Sequence, residues 1–123
     1  MHITRLHQVA ARSVGVEAMV AFYRDKLGAT FIAQFDPPGL VFFDVAGVRL
    51  MFEEGANPAT LYFGVDDIDV AKAELEAEGV AFESEPHMIH RDEDGTFGNP
   101  GTEEWMAFFK DPAGNTLAIA SRK

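Results

Sequence analysis

The sequence contains no cysteine, which excludes disulfide bonds, zinc fingers and thiol nucleophiles. It has no apolar run long enough to cross a bilayer, and its N-terminus resembles no secretory signal, so we expect a cytoplasmic protein with no membrane partner. Basic residues are few: 10 Lys and Arg stand against 20 Asp and Glu, and the formal net charge is −10. Such a surface repels phosphate backbones, so we expect no nucleic acid partner.

Apolar residues are plentiful, because they make up 47% of the 123 residues and include 11 phenylalanines. A chain of this length and composition can bury a core of its own, and we interpret residues 1–123 as a single domain. The composition also excludes a disordered chain. The number of phenylalanines exceeds what a core of this size requires, which favours a cavity lined by aromatic side chains.

Hydrophobic periodicity predicts two helices and eight strands. Residues 16–27 carry apolar side chains at helical spacing and end at Gly28. A second helix is expected over 66–78, with Asp66-Asp67 as its cap and Gly79 as its stop. The predicted strands are 2–10, 29–35, 40–45, 48–52, 59–65, 80–85, 103–109 and 116–120, and a long polar loop is expected over 86–102.

These elements follow the order βαβββ twice, and two sequence matches support an internal repeat. Asp44-x-Ala46-Gly47-x-x-Leu50 recurs as Asp111-x-Ala113-Gly114-x-x-Leu117, and Gly28-x-x-Phe31 recurs as Gly79-x-x-Phe82. The predicted units span about residues 2–53 and 59–121. The extra residues of the second unit fall in its polar loop, which we expect to be either a lid over a ligand or a disordered segment.

Three segments together resemble one protein family. Phe22-Tyr23-Arg24-Asp25-Lys26-Leu27-Gly28 is similar to the end of the family's first helix, Val65-Asp66-Asp67-Ile68-Asp69 to the entry of its second, and Asp111-Pro112-Ala113-Gly114-Asn115 to the turn before its last strand. This order resembles the vicinal-oxygen-chelate superfamily of glyoxalases, bleomycin resistance proteins and extradiol dioxygenases. The resemblance implies an α+β fold in which two βαβββ units form curled mixed sheets around a cleft. It also implies a homodimer, which open sheet edges favour.

Metal-dependent members of that superfamily hold one divalent ion with four side chains, mostly His, Glu or Gln, from the first and last strands of each unit. The resemblance places these positions at His7, Met51, Thr60 and Ala118. Thioether, hydroxyl and methyl groups do not suit such an ion. No cofactor is therefore expected, and a divalent metal ion is the alternative.

The register of the fourth strand decides which of its side chains the cleft receives. Taking Leu50 and Phe52 as core residues turns Arg49, Met51 and Glu53 towards the cleft, because consecutive strand residues alternate between faces. A slip of two residues would present Glu53 in place of Met51 and would restore only one further ligand.

The polar loop supplies a second candidate metal site, since His87 and His90 lie there among several carboxylates. If a metal is bound, the expected ligands are His7, His87, His90 and Glu104; otherwise the loop is a solvated polar segment. His7 itself is interpreted either as a hydrogen-bonded structural residue or as a catalytic general base.

An aromatic cleft in an acidic protein suits planar and cationic ligands. The main prediction is therefore a small-molecule binding protein with a degenerate metal site, similar to bleomycin resistance proteins, that binds a small aromatic or cationic ligand. One alternative is a metal-dependent enzyme of the same superfamily, such as a glyoxalase I-type lyase, a methylmalonyl-CoA epimerase-type isomerase or an extradiol dioxygenase. Another is a metal-independent enzyme that uses His7 as a base. The side chains expected in the cleft are His7, Phe43, Arg49, Met51, Glu53, Thr60, Tyr62, Trp105, Met106 and Ala118.

Overall fold

The computed structural model describes all 123 residues and confirms the predicted α+β fold with two βαβββ units. The elements are β1 (Gln8–Arg12), α1 (Val16–Val20, continued by a π-helical segment Ala21–Lys26), β2 (Thr30–Phe35), β3 (Leu40–Val45), β4 (Val48–Glu53), β5 (Thr60–Gly64), α2 (Ile68–Ala77), β6 (His87–Asp92), β7 (Thr102–Lys110) and β8 (Thr116–Arg122). No helix is long and apolar enough to cross a membrane. The chain divides into two compact units, Met1–Ala59 with Asp111–Asn115, and Thr60–Lys110 with Thr116–Lys123.

The first unit contains a four-stranded mixed sheet in the order β1-β4-β3-β2, in which only β1 and β4 are parallel. One face of the sheet packs against α1, where Tyr23 lies 4.4 Å from Phe52 and 5.7 Å from Phe43 between ring centroids. Leu50 and Phe52 are buried on this helix-facing side, as predicted. We call the opposite side of this sheet the first open face.

The Asp111–Asn115 turn belongs to the first unit and is held there by hydrogen bonds. The Tyr23 hydroxyl donates to Asp111 Oδ2 at 2.6 Å, and the Asn115 side-chain amide donates to the same oxygen at 2.8 Å. Asn115 is fully buried and also pairs with the backbone of Arg12 through both its oxygen and its nitrogen. Two of the motifs that carry the family resemblance therefore meet in one buried polar network.

The second unit contains a sheet in the order β5-β8-β7-β6, in which only β5 and β8 are parallel. Its helix-facing side is buried at Leu117, Phe109 and Ala107, and α2 contributes the buried Ile68. Asp67 caps α2, as predicted, because its carboxylate accepts hydrogen bonds from the backbone nitrogens of Asp69 and Val70. We call the opposite side of this sheet the second open face.

Two strand predictions were wrong. The predicted strand at 80–85 forms only an isolated bridge from Phe82 to Phe109, and the sixth strand is β6, inside the predicted loop 86–102. β6 is a sheet edge and is exposed at five of its six residues, so it carries no hydrophobic alternation that a sequence pattern could reveal. The first strand begins at Gln8 rather than at residue 2, and residues 1–7 are exposed.

Candidate functional site

The first open face presents the side chains that the register of β4 predicts. Arg49 and Met51 lie opposite Gln8 and Ala10 of β1, and Glu53 lies exposed at the end of β4. Gln8 Nε2 approaches the Met51 sulfur at 3.8 Å, and Arg49 Nε donates to Gln8 Oε1 at 2.7 Å. On this side of the sheet, Gln8 therefore connects Arg49 and Met51 through contacts of its side-chain amide.

His7 lies immediately before β1, so its side chain is not held by the alternation of the strand. Its two ring nitrogens instead face two guanidinium groups. Arg5 Nη2 lies 3.3 Å from Nδ1, and Arg49 Nη2 lies 3.2 Å from Nε2. The first strand residue on the open face is Gln8, which sequence reasoning passed over in favour of the neighbouring imidazole. A side chain between two cations is poorly placed to bind a third.

Thr60 and Ala118 lie on the second open face at the start of β5 and in the middle of β8. Ala118 is fully buried and lies between Tyr62 of β5 and Phe108 of β7 in the strand register. The rings of Tyr62 and Phe108 meet edge to face with centroids 6.1 Å apart. The position that the resemblance assigns to a metal ligand is therefore a methyl group flanked by two aromatic rings.

His87 and His90 lie on the edge strand β6 and not in a loop. His87 is opposite Met106, and His90 is opposite Glu104, so the latter pair brings an imidazole and a carboxylate onto adjacent strands. No three His, Asp or Glu side chains come together in a group that could hold a metal ion. The residues present do not fit a tightly bound divalent ion, which needs at least three such ligands.

The second open face carries an aromatic row. Tyr62, 58% exposed, contacts Phe108, and the His87 ring lies 6.4 Å from Phe108 on its other side. Met106 lies beside His87 and Ala120 in the same register. Phe108 was not among the predicted lining residues, although the alternation of β7 that points Met106 to this face also points Phe108 to it.

Two predicted lining residues lie on helix-facing sides instead. Phe43 is fully buried against Tyr23 and Phe52. Trp105 precedes Met106 in β7 and therefore points away from it; its indole nitrogen donates to Glu103 at 3.1 Å, and Lys123 lies 4.7 Å from its ring. Neither residue lines an open face.

A pocket of about 520 Å³ opens at one end of the second sheet. Its lining includes the carboxylates of Asp66 and Glu104 and the guanidinium of Arg122. Arg122 is paired with the buried Asp92 at 2.9 Å. Burial of Asp92 opposes its ionisation, but hydrogen bonds from the Phe97 nitrogen, Arg122 and the Thr96 nitrogen outweigh this effect and lower its pKa. The two carboxylates on the rim lack an ion pair and give the pocket an acidic character.

Known structures share this fold at low sequence identity. A lactoylglutathione lyase from Agrobacterium tumefaciens is 23% identical with a TM-score of 0.70, and the match covers 97% of this chain and 94% of that one. An integron cassette protein from Vibrio cholerae is 19% identical with a TM-score of 0.75, and the match covers 98% of this chain and 97% of that one. A glyoxalase/bleomycin resistance protein/dioxygenase from Nocardioides is 20% identical with a TM-score of 0.71, over 98% of this chain and 85% of that one. These likenesses show the fold alone.

No curated protein matches this chain in sequence. The family model of the Glyoxalase/Bleomycin resistance protein/Dioxygenase superfamily, however, matches residues 5–119, which is nearly the whole chain. The two βαβββ units and this match agree, and the chain belongs to the glyoxalase/bleomycin resistance protein/dioxygenase superfamily.

Proposed function

We propose that this protein is a small-molecule binding protein with a degenerate metal site, and that it takes a small aromatic or cationic ligand in a sheet-lined cleft. The resemblance assigns the superfamily's metal to the positions His7, Met51, Thr60 and Ala118. Only one of them is a side chain that binds divalent ions well. Binding must then rest on the side chains of the open faces.

The observation that carries the proposal is the aromatic row of the second open face. Tyr62 is more than half exposed, although its ring already packs edge to face against Phe108. The exposed ring of Tyr62 and the half-buried ring of Phe108, with His87 beside them, offer apolar ring surface for a planar ligand. The acidic pocket formed in part by Asp66 and Glu104 adds attraction for a cationic group.

The row can be tested with a single truncation. A planar probe such as 2-naphthol is titrated into the ¹⁵N-labelled protein, and Tyr62→Ala is expected to weaken its binding about tenfold, the loss expected for removing one aromatic contact. Val70→Ala is the matched control, because Val70 is also about half exposed in the second unit but lies on α2. Equal affinities for the wild type and Tyr62→Ala would contradict the proposal.

A metal-dependent enzyme of the superfamily is the alternative, whether a lyase, an isomerase or a dioxygenase. It is favoured by the pairing of His90 with Glu104 on adjacent strands. The test is elemental analysis after incubation with Zn²⁺, Ni²⁺, Mn²⁺ or Fe²⁺ and desalting. Retention of one equivalent per chain, lost in His90→Ala and Glu104→Gln, would overturn the binding-protein proposal. Retention well below one equivalent is expected.

A homodimer in the cytoplasm is part of the proposal. The edge strand β6 leaves backbone groups unpaired, and Met88 and Ile89 on it are each 45% exposed. Exposed apolar side chains on an open sheet edge favour pairing with a second copy. Light scattering coupled to size exclusion should give twice the mass of one chain, and Ile89→Lys should shift the protein towards the monomer.

A further inference from the structure

One cluster of positive charge remains without a counter-ion on a protein of net charge −10. Arg24, Arg91 and Arg122 each form an ion pair with a carboxylate, and so do three of the lysines. Arg5, Arg12, Lys26 and Arg49 form none, and of these only Arg5 and Arg49 share a contact, the His7 ring between them. Twice as many acids as bases are available, so two neighbouring arginines without an acid partner indicate a place where an anion from outside is accommodated.

The hydrogen bonding within the cluster is also incomplete. Arg5 and Arg49 approach the two ring nitrogens of His7 at 3.3 and 3.2 Å. A guanidinium can only donate, and a neutral imidazole accepts at one nitrogen only, so at most one of these contacts is a hydrogen bond. Arg49 Nε donates a further hydrogen bond to Gln8 Oε1. The cluster therefore holds more donors than acceptors, and a carboxylate supplies the missing lone pairs.

The nearest acid in the sheet register is Asp44, which lies opposite Arg49 on the adjacent strand β3. It forms no ion pair with Arg49; its carboxylate instead accepts a hydrogen bond from the Gly47 nitrogen in the β3–β4 turn at 3.4 Å. Asp44 opposes an incoming anion electrostatically but does not occupy the arginine donors. Its removal should therefore strengthen anion binding.

Aromatic side chains adjoin the cluster on the same open face. The Arg49 guanidinium carbon lies 5.6 Å from the centre of the Phe42 ring, and Phe42 meets Phe35 edge to face at 6.0 Å. Phe35 is 53% exposed. The first open face thus passes from an apolar aromatic surface to a pair of guanidinium groups, an arrangement that suits a molecule with one flat apolar end and one anionic end.

We infer that Arg5, His7 and Arg49 bind the carboxylate of a small aromatic anion whose ring lies against Phe42 and Phe35. The inference goes beyond the proposed function, because it assigns an anion-binding site to the first open face, whereas the proposed function uses the aromatic row of the second open face. It differs from the cationic preference that the overall acidity suggests, because the local charge around Arg49 is opposite to the net charge of the chain.

The test compares three probes of one shape: 2-naphthoate, its neutral amide 2-naphthamide, and the cation 2-naphthylmethylammonium. Titrations are followed by ¹H–¹⁵N correlation spectra that include the arginine Nε–H groups. Naphthoate should bind at least about fivefold more tightly than the amide, as expected for charge-assisted hydrogen bonds at an exposed site, and it should shift the Arg49 Nε–H signal. The preference should shrink when NaCl is raised, because exposed charges are screened.

Arg49→Gln should abolish the preference for naphthoate, and Asp44→Asn should increase it. Arg24→Gln is the control for net charge, since Arg24 is an exposed arginine of the same unit already paired with Asp25. Equal affinity for acid and amide, tighter binding of the cation, or an unchanged preference in Arg49→Gln would overturn this inference and leave the proposed function standing. If none of the three probes shifts the Arg49 Nε–H signal, the inference fails, and the 2-naphthol titration of Tyr62→Ala tests the proposed function separately.

Discussion

The hydroxyl of Tyr23 donates a 2.6 Å hydrogen bond to the carboxylate of Asp111, a residue far along the chain that nevertheless belongs to the same compact unit. Both groups are buried. Burial, reinforced by the Asp111 charge and by this hydrogen bond, raises the pKa of Tyr23 and keeps its hydroxyl protonated as a donor. The tyrosine of one motif thus donates a hydrogen bond to the aspartate of another, and this contact holds the two motifs together in the core of the first unit.

Tyr23→Phe should lower the free energy of unfolding by about 1.5–3 kcal/mol, the usual contribution of a hydrogen bond to a charged group. Asp111 keeps its bonds from the Asn115 amide and from the backbone nitrogens of Ala113 and Asn115, so the fold should survive. Urea denaturation measures the change. Tyr62→Phe is the matched control, because Tyr62 is exposed and its hydroxyl has no hydrogen bond within the protein. A Tyr23→Phe variant as stable as Tyr62→Phe would contradict this account.

Asn115→Ala should cost more, about 3 kcal/mol or above, because several buried backbone groups lose their partner at once. The Asn115 oxygen accepts from the nitrogens of Arg12 and Ala59, and its amide donates to the Arg12 oxygen. Denaturant unfolding again measures the change. Asn57→Ala, at an exposed position in the same unit, should change stability by no more than about 0.5 kcal/mol. Similar effects of the two substitutions would show that the turn is not anchored by this side chain.

Asp92→Asn should destabilise the protein at neutral pH and have a smaller effect in acid. The folded-state pKa of Asp92 is lowered from the ordinary 3.8, so its ionised form stabilises the fold above that value. This contribution is lost as the pH falls through the lower folded-state pKa, where the wild type also carries a neutral side chain. Thermal unfolding of both proteins from pH 7 to pH 2.5 should show the two curves converging.

Asp94→Asn supplies the control for that comparison. Asp94 is exposed, lies two residues away in the same segment and forms no ion pair. Its substitution should leave the pH dependence unchanged. A constant stability difference between the wild type and Asp92→Asn across the whole pH range would show that the Asp92–Arg122 contact does not depend on ionisation.

Much of the fold could be predicted because strands such as β3, β4 and β5 alternate between more and less buried side chains. The register of β4 followed from Leu50 and Phe52 alone, and both are buried. β6 could not be predicted, since an exposed edge strand does not need apolar residues at alternate positions. The segment predicted as a loop contains β6, so His87 and His90 were assigned to a loop although they lie on a strand.

The candidate site was less predictable, because lining residues depend on which face of a strand is buried. Trp105 and Met106 were both assigned to the cleft, although neighbouring strand residues cannot share a face. The Arg5–His7–Arg49 cluster could not be read from the sequence either. It depends on how three side chains from the N-terminal segment and β4 converge, which no spacing along the chain encodes.

Ala118→Glu, which would place a carboxylate at a position that the resemblance assigns to a metal ligand, should destabilise the protein by about 1–3 kcal/mol, as expected for overpacking a closely packed site. Ala118 is fully buried between Tyr62 and Phe108, so a longer, charged side chain must displace one of these rings or lose its hydration. Thr60→Glu is the matched control, because the resemblance assigns Thr60 to another of the four ligand positions. Thr60 lies on the same open face and is exposed, so the same side chain should cost less than about 0.5 kcal/mol there. Thermal unfolding measures both. If Ala118→Glu unfolds at the wild-type temperature, the rings of the aromatic row can move apart and leave room for a carboxylate side chain. The alanine at this position would then not be required by the packing of the two rings.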